Sequence, residues 1–240
     1  MEYISILHEP TEKDPFLVLD KPAGLPTAPL VAGEDCALTQ ALLLFPQLAA
    51  VQGRKPIEKG LLHRLDTATR GCVLVAATQQ AYVALITVQK NGQFVKQYTA
   101  LVEKTCSPLP AGFPKLPFAP QELPADFVVE SRFRAYGPQQ VAVRPVTAFA
   151  GPAALKKASP TLYRTQVQLQ AGADDAIRAF CTITAGYRHQ VRCHLAWCGY
   201  PVHGDALYNP RYQAGQKLCF TASAISFPHP LIGERLTFAL

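Results

Sequence analysis

No wholly apolar run in the 240 residues is longer than the six of Cys72–Ala77, whereas a bilayer-crossing helix needs about 18. The first nine residues carry Glu2 and Glu9 where a secretion signal needs basic and then apolar residues. There is no Cys-x-x-Cys pair. The seven cysteines, at 36, 72, 106, 181, 193, 198 and 219, are odd in number, and several sit in apolar runs such as Cys72-Val73-Leu74-Val75 and Ala179-Phe180-Cys181. They read as reduced core thiols in a reducing compartment, not as a disulfide framework. Internal repeats are absent, and so is a regular βαβ alternation, which excludes a solenoid and a doubly wound sheet. Charged residues are sparse at 17%, but hydrophobic residues at 49% exclude a disordered chain. These absences lead us to expect a soluble, cytoplasmic protein with no membrane partner.

Proline and glycine are plentiful, 21 and 15. They imply many turns and argue against a helical bundle. Lys and Arg outnumber Asp and Glu by 23 to 17, a formal charge of +6 with a pI near 9.0. That balance favours an anionic partner, of which nucleic acid is the commonest, although a basic solvated surface gives the same number. The length suits one large domain with a core that needs no metal or disulfide.

Phe16–Leu19 reads as a short strand ending in the turn Asp20-Lys21-Pro22-Ala23-Gly24. A helix over 36–45 is closed by Pro46, and residues 50–60 form a loop with Arg54, Lys55 and Lys59. Cys72–Ala77 reads as a buried strand. A helix from Thr78, its N-cap, to Lys90 stops at Asn91-Gly92, and Phe94–Val102 returns as a strand. Six prolines between Thr105 and Ala125 mark a loop or insertion. Strands follow over 141–149, 161–170 and 177–184, then a helix over 189–198 ended by Gly199. A final strand pair over 220–238 breaks at Pro228-His229-Pro230. The pattern predicts a single α+β domain over 1–240, with a mixed, largely antiparallel sheet.

Three polar islands could carry chemistry. His63-Arg64-Leu65-Asp66-Thr67-Ala68-Thr69-Arg70-Gly71 places a carboxylate between two arginines just before the most apolar strand. Such a carboxylate stays ionised and can serve as nucleophile or base, or it anchors the loop as a structural ion pair. Gly186-Tyr187-Arg188-His189-Gln190-Val191-Arg192 gathers cationic and amide groups at a helix start. These can grip phosphate or a base edge, or simply form a capped cationic face. Val202-His203-Gly204-Asp205-Ala206-Leu207-Tyr208 reads as a turn with an Asp cap. The cluster His189-x3-Cys193-His194-x3-Cys198 lacks the ligand spacing of known zinc sites, so core packing is the expected role and no metal is assigned.

Taken together the islands resemble the RluA-type pseudouridine synthases. His63-Arg64-Leu65-Asp66-x-x-Thr69-x-Gly71 is similar to that family's catalytic-aspartate motif, and Asp20-Lys21-Pro22-Ala23-Gly24 to its first motif. Lys96-Gln97-Tyr98-Thr99-Ala100 resembles the segment with the active-site tyrosine. Gly186-x-x-His189-Gln190-Val191-Arg192-x-His194-Leu195 resembles its third motif. Gly204-Asp205-x-x-Tyr208 and His229-Pro230-x-x-Gly233 follow in the family's order.

The resemblance implies a pseudouridine-synthase domain with a central active-site cleft and flanking helices. It implies an enzyme that isomerises uridine in structured RNA, ribosomal or transfer, without cofactor or metal, and a monomer is expected. Asp66 is then the essential carboxylate, acting while the glycosidic bond is broken and the base rejoins the sugar through C5. Tyr98 stacks on the base and is a candidate proton acceptor, although an ordinary tyrosine pKa of about 10 means that this needs help. Arg192 pairs with the carboxylate, which places two groups 126 positions apart in sequence within about 4 Å. Arg64, His63, Arg70, Arg188, His189 and Gln190 are the candidate substrate contacts. No room is expected before residue 20 for the S4-type RNA-binding module that many relatives carry.

The chain departs from the family pattern at three places: Arg70 stands where a serine is usual, Tyr187-Arg188 where Arg-Thr is usual, and Thr221 where a histidine is usual. These changes bear on which RNA is chosen more than on the reaction. Two other readings compete: a catalytically silent RNA-binding relative and a metal-dependent hydrolase built on the His/Cys cluster. The presence of Asp66, Tyr98 and Arg192 argues against the first.

Overall fold

The computed structural model describes residues 2–31, 33–105, 110, 112–115, 123, 125–172 and 176–240. Most of the proline-rich stretch over 105–125 lies outside the described residues. In chain order the elements are β1 (Ser5–His8), β2 (Phe16–Lys21), α1 (Ala37–Leu44), β3 (Arg70–Ala76), α2 (Gln79–Lys90), β4 (Val95–Val102), β5 (Ala125–Tyr136), β6 (Ala142–Val146), α3 (Pro152–Lys156), β7 (Tyr163–Ala171), β8 (Ile177–Ile183), α4 (Gln190–Trp197), β9 (Phe220–Pro228) and β10 (Arg235–Ala239). The fold class is α+β, with mixed, mostly antiparallel strands. Two compact units make it up: Met1–Gln97 with Thr221–Leu240, and Tyr98–Phe220. Among the described residues no helix is long and apolar enough to cross a membrane.

In the first unit β2 lies antiparallel between β1 and β3, β3 runs parallel to β9, and β10 is antiparallel to β9. Both faces of β2 and nearly all of β3 are buried, as continuous apolar runs require. Helix α2 starts where Thr78 accepts from the Ala81 amide, satisfying one of the free N–H groups of its first turn. Its buried residues Ala81, Tyr82 and Leu85 pack with Phe16, Leu74, Phe94 and Phe227 into one core.

The turn expected at Asp20-Lys21 is displaced. β2 continues through both residues because Asp20 and Lys21 pair with Cys72 and Gly71 of β3. Gly71, at φ +143°, lies where a Cβ would strike the Ala222 carbonyl and side chain. Only glycine allows β3 and β9 to approach so closely.

In the second unit β5 lies antiparallel between β6 and β7, and β8 is antiparallel to β7. Helix α4 packs on β6, β7 and β5, around Phe133, Val143, Cys193, Ala196 and Tyr208. All eight of its residues are buried, as expected of an interior helix. Strands β1 and β5 have no counterpart in the sequence reading, whereas the boundaries expected for α1, α2, β3, β7, β8 and α4 hold to within about two residues.

Candidate active site

The loop carrying Asp66 starts and ends on β3. Residues 60–62 run alongside that strand, with Ala76 N donating to Gly60 O (2.8 Å) and Leu62 N to Leu74 O (3.1 Å), and the chain re-enters it at Arg70. In between, the backbone around Asp66 is pinned. The buried Thr27 hydroxyl donates to Leu65 O (2.8 Å) and accepts from Leu65 N (3.0 Å). Gly24 N donates to Thr67 O (2.8 Å), Thr69 N donates to Asp66 O (2.9 Å) and the Lys21 ammonium donates to Thr67 O (3.1 Å). A carboxylate on such a loop is held by its scaffold before any ligand arrives.

The neighbours of Asp66 divide into open and occupied groups. Arg64 is exposed and reaches Glu58 at 3.3 Å, a carboxylate that it shares with Lys55. His63 Nε2 accepts from Leu74 N (3.2 Å), so Nδ1 carries the proton. Burial, and then the nearby Lys96 ammonium, push the His63 pKa down to about 3, which keeps the ring neutral near pH 7. Lys96 itself lies over the Phe94 ring at 5.7 Å, and burial lowers its pKa to about 8. Arg70 bonds Asp20 twice, Nε to Oδ2 at 3.0 Å and Nη2 to Oδ2 at 2.7 Å, while its side chain stays 58% exposed. Two of its three guanidinium nitrogens face a carboxylate from β2.

In the second unit Arg192 lies on α4 and is gripped by Asp205. Nε donates to Oδ2 at 2.8 Å and Nη2 to Oδ1 at 2.7 Å, with the side chains 7% and 0% exposed. Asp205 Oδ1 also accepts from the amides of Leu207 and Tyr208. The turn therefore presents its carboxylate in one orientation and the carboxylate presents the guanidinium in one plane. Tyr208 stacks beside Arg192, its ring centroid 5.6 Å from the guanidinium carbon. Its hydroxyl donates to or accepts from His189 Nδ1 at 3.1 Å and accepts from Val143 N at 2.8 Å. Tyr98 is buried, with its ring parallel to that of Phe220 at 5.1 Å and 3°.

The remaining residues of the third motif support this frame. His189 caps α4 in the left-handed conformation at φ 56°. Gln190 is 2% exposed, its Oε1 accepting from Tyr187 N and its Nε2 donating to Arg164 O and Thr165 Oγ1. This sets Gln190 within the framework of the unit, not on an open face. Arg188 donates to the carbonyls of Gln140 and Ala142 at 2.5 and 3.2 Å. In the His/Cys cluster, His194 is held between Ser131 Oγ and Thr165 Oγ1 at 2.9 and 2.8 Å, and Cys193 donates to Val143 O. Among the described residues no three His, Cys, Asp or Glu side chains are grouped to hold a metal.

The sequence reading gave Lys21 and Asp205 no catalytic part. Asp205 read as a turn cap, which it is, but its ion pair with Arg192 spans 13 positions and no local pattern signals it. For Lys21, the signal was a lysine continuing an apolar strand.

The fold is α+β, one unit holding a pinned carboxylate loop and the other a rigidly held arginine. The family model for RNA pseudouridylate synthase matches residues 15–197, and the chain belongs to that family. It is 26% identical over 240 residues to ribosomal large subunit pseudouridine synthase D of Pseudomonas aeruginosa, covering 94% of this chain and 65% of the relative. The enzyme of the same name from Xanthomonas campestris pv. campestris is 30% identical over 238 residues, with 93% and 62% covered. The chain thus spans less than two thirds of the length of these relatives. The dual-specificity RNA pseudouridine synthase RluA of Escherichia coli is 27% identical over 231 residues, with 95% and 89% covered. In fold, the chain is similar to the solved human RNA pseudouridylate synthase domain containing 1. The TM-score is 0.66 at 19% identity, with 98% of this chain and 82% of that one covered.

Proposed function

We propose that this chain isomerises uridine to pseudouridine in structured RNA, with ribosomal RNA the first candidate because it is named in the titles of several relatives. The observation that carries the reading is that Asp66, Tyr98 and Arg192 all fall within the family match over 15–197. In this reading the Asp66 carboxylate acts on the target nucleotide while the glycosidic bond breaks. The freed uracil turns over against the Tyr98 ring, and C5 bonds to the sugar as its proton leaves. Arg192, held by Asp205, is the guanidinium that keeps the carboxylate charged in a desolvated setting.

Extruding a nucleotide from its stack costs a few kcal/mol, offset by cations on the phosphates. Arg64 is the best placed for this, being exposed beside Asp66 in sequence; His63, Arg70, Arg188 and His189 are the further proposed substrate contacts, and the buried Gln190 is proposed to act by holding the start of α4. The whole chain is proposed to act as one catalytic domain, in the cytoplasm, as a monomer and without a cofactor. Transfer RNA is the second candidate substrate.

The test is to map pseudouridine transcriptome-wide in cells with and without the gene. One or a few sites should vanish on deletion and return with the wild-type chain. An unchanged map with retained RNA binding would favour a silent RNA-binding relative.

A further inference from the structure

Lys21 ends β2, and its side chain is fully buried, at 0% exposure. An ammonium has three N–H donors, and three backbone carbonyls meet them: Leu25 O at 2.7 Å, Pro22 O at 2.8 Å and Thr67 O at 3.1 Å. Two of these lie in the 22–25 turn and the third is adjacent to Asp66. The same Thr67 carbonyl takes the Gly24 amide. One buried cation therefore ties the first-motif turn to the aspartate loop. Burying an ammonium among neutral carbonyls is unfavourable when a neutral donor would close the same contacts, so its charge calls for a use.

Its surroundings supply one. Two carboxylates act on Lys21, Asp66 from the loop and Asp20 from the neighbouring strand position. Asp20 is already bonded by Arg70. Cys72 of β3 pairs with Asp20 in register, and its thiol is pushed up to about 11 by burial and by Asp20, so it stays neutral at working pH.

We propose that Lys21 is a positioning residue for Asp66, its buried ammonium fixing the backbone of the aspartate loop through Thr67 and locking that loop to the 22–25 turn. The inference rests on the reading of Asp66 as the essential carboxylate. Burial lowers the Lys21 pKa to about 8 against the pull of Asp66 and then Asp20. The cation is therefore complete below about pH 8 and lost above it.

The experiment measures kcat, KM and the pH profile of kcat for Lys21→Gln and Lys21→Met, with Asp66→Asn and Lys96→Met alongside, on an RNA fragment carrying the mapped uridine. Glutamine keeps a neutral donor for the carbonyls, and methionine keeps the volume. Folding of each variant is checked by its thermal transition. Lys21→Gln should lower kcat about tenfold or more with KM within about threefold. It should also abolish the fall in kcat above about pH 8, a fall that Lys96→Met should retain. A folded Lys21→Gln or Lys21→Met with wild-type kcat and an intact alkaline fall, beside an inactive Asp66→Asn, would overturn the role of Lys21 alone. A fully active Asp66→Asn would overturn the underlying reading as well.

Discussion

Arg192 and Asp205 form a buried two-point ion pair, 2.7 and 2.8 Å long, with the carboxylate fully enclosed and itself held by two backbone amides. Buried pairs of this kind owe little to net attraction, because desolvation offsets most of it. Their effect is geometric: a side chain with several rotatable bonds is reduced to one plane. Removing the carboxylate takes two hydrogen bonds from a buried guanidinium that cannot be neutralised. Asp205→Asn should therefore lose about 3–5 kcal/mol of stability, read as a lower urea midpoint. At temperatures where it stays folded, kcat should fall far more than RNA affinity. A variant with wild-type kcat would show that Arg192 needs no such support.

Arg70 gives a second prediction. Its Nε and Nη2 face Asp20, so its charge is partly matched before any phosphate arrives. Arg70→Ser should change the log–log salt slope of RNA binding by less than about 0.7, the value for one single-strand phosphate contact. Arg64, whose longer contact at 3.3 Å is to a Glu58 shared with Lys55, should on replacement by Ala change it by about 0.7–0.9. Equal changes for both would mean that Arg70 leaves Asp20 when RNA binds.

Acid should destabilise the fold through two histidines. Burial, the larger cause at His63 and the one at His194, lowers both pKa values to about 3. In the unfolded chain they titrate near 6.5. The folded pKa is the lower, so their stabilising contribution is complete above about 6.5 and is lost as pH falls from there toward 3. Each should remove about 2 kcal/mol by pH 5. His194→Gln should reduce the stability difference between pH 7.5 and pH 5 by about that amount in urea titrations. An unaltered difference would mean that His194 titrates normally.

Gly71→Ala should lose about 2–4 kcal/mol through backbone strain and overpacking, since its Cβ meets Ala222 across the β3–β9 contact. A thermal midpoint within about 1 °C of wild type, at most about half of the roughly 2–4 °C expected from 1 kcal/mol in a chain of this size, would show that β9 yields there.

Much of this architecture was legible in the sequence because local signals agreed with the tertiary ones. Thr78 and Asn91 bracket α2 as N-cap and C-cap, and the unbroken run after Arg70 is buried on both faces. Strand β5 was obscured by its proline-rich neighbour, although Phe127, Val129 and Phe133 line one buried face with period two. Asp20-Lys21 has turn composition but stays extended because it pairs with β3, a non-local contact that outweighs local preference. In the proposed site, the family resemblance singled out Asp66, Tyr98 and Arg192. It could not show that Asp205 holds Arg192 or that Lys21 lies under the loop of Asp66, because both relationships depend on packing between distant segments.

The proposed mechanism places the isomerisation on the Asp66 carboxylate, and the decisive measurement is single-turnover formation of pseudouridine by Asp66→Asn. The assay would use the RNA identified by mapping, with affinity measured in parallel by fluorescence anisotropy. No detectable product is expected, together with RNA affinity within about threefold of wild type, since phosphate contacts dominate binding. Product formed by Asp66→Asn at a rate near that of the wild-type chain would contradict it.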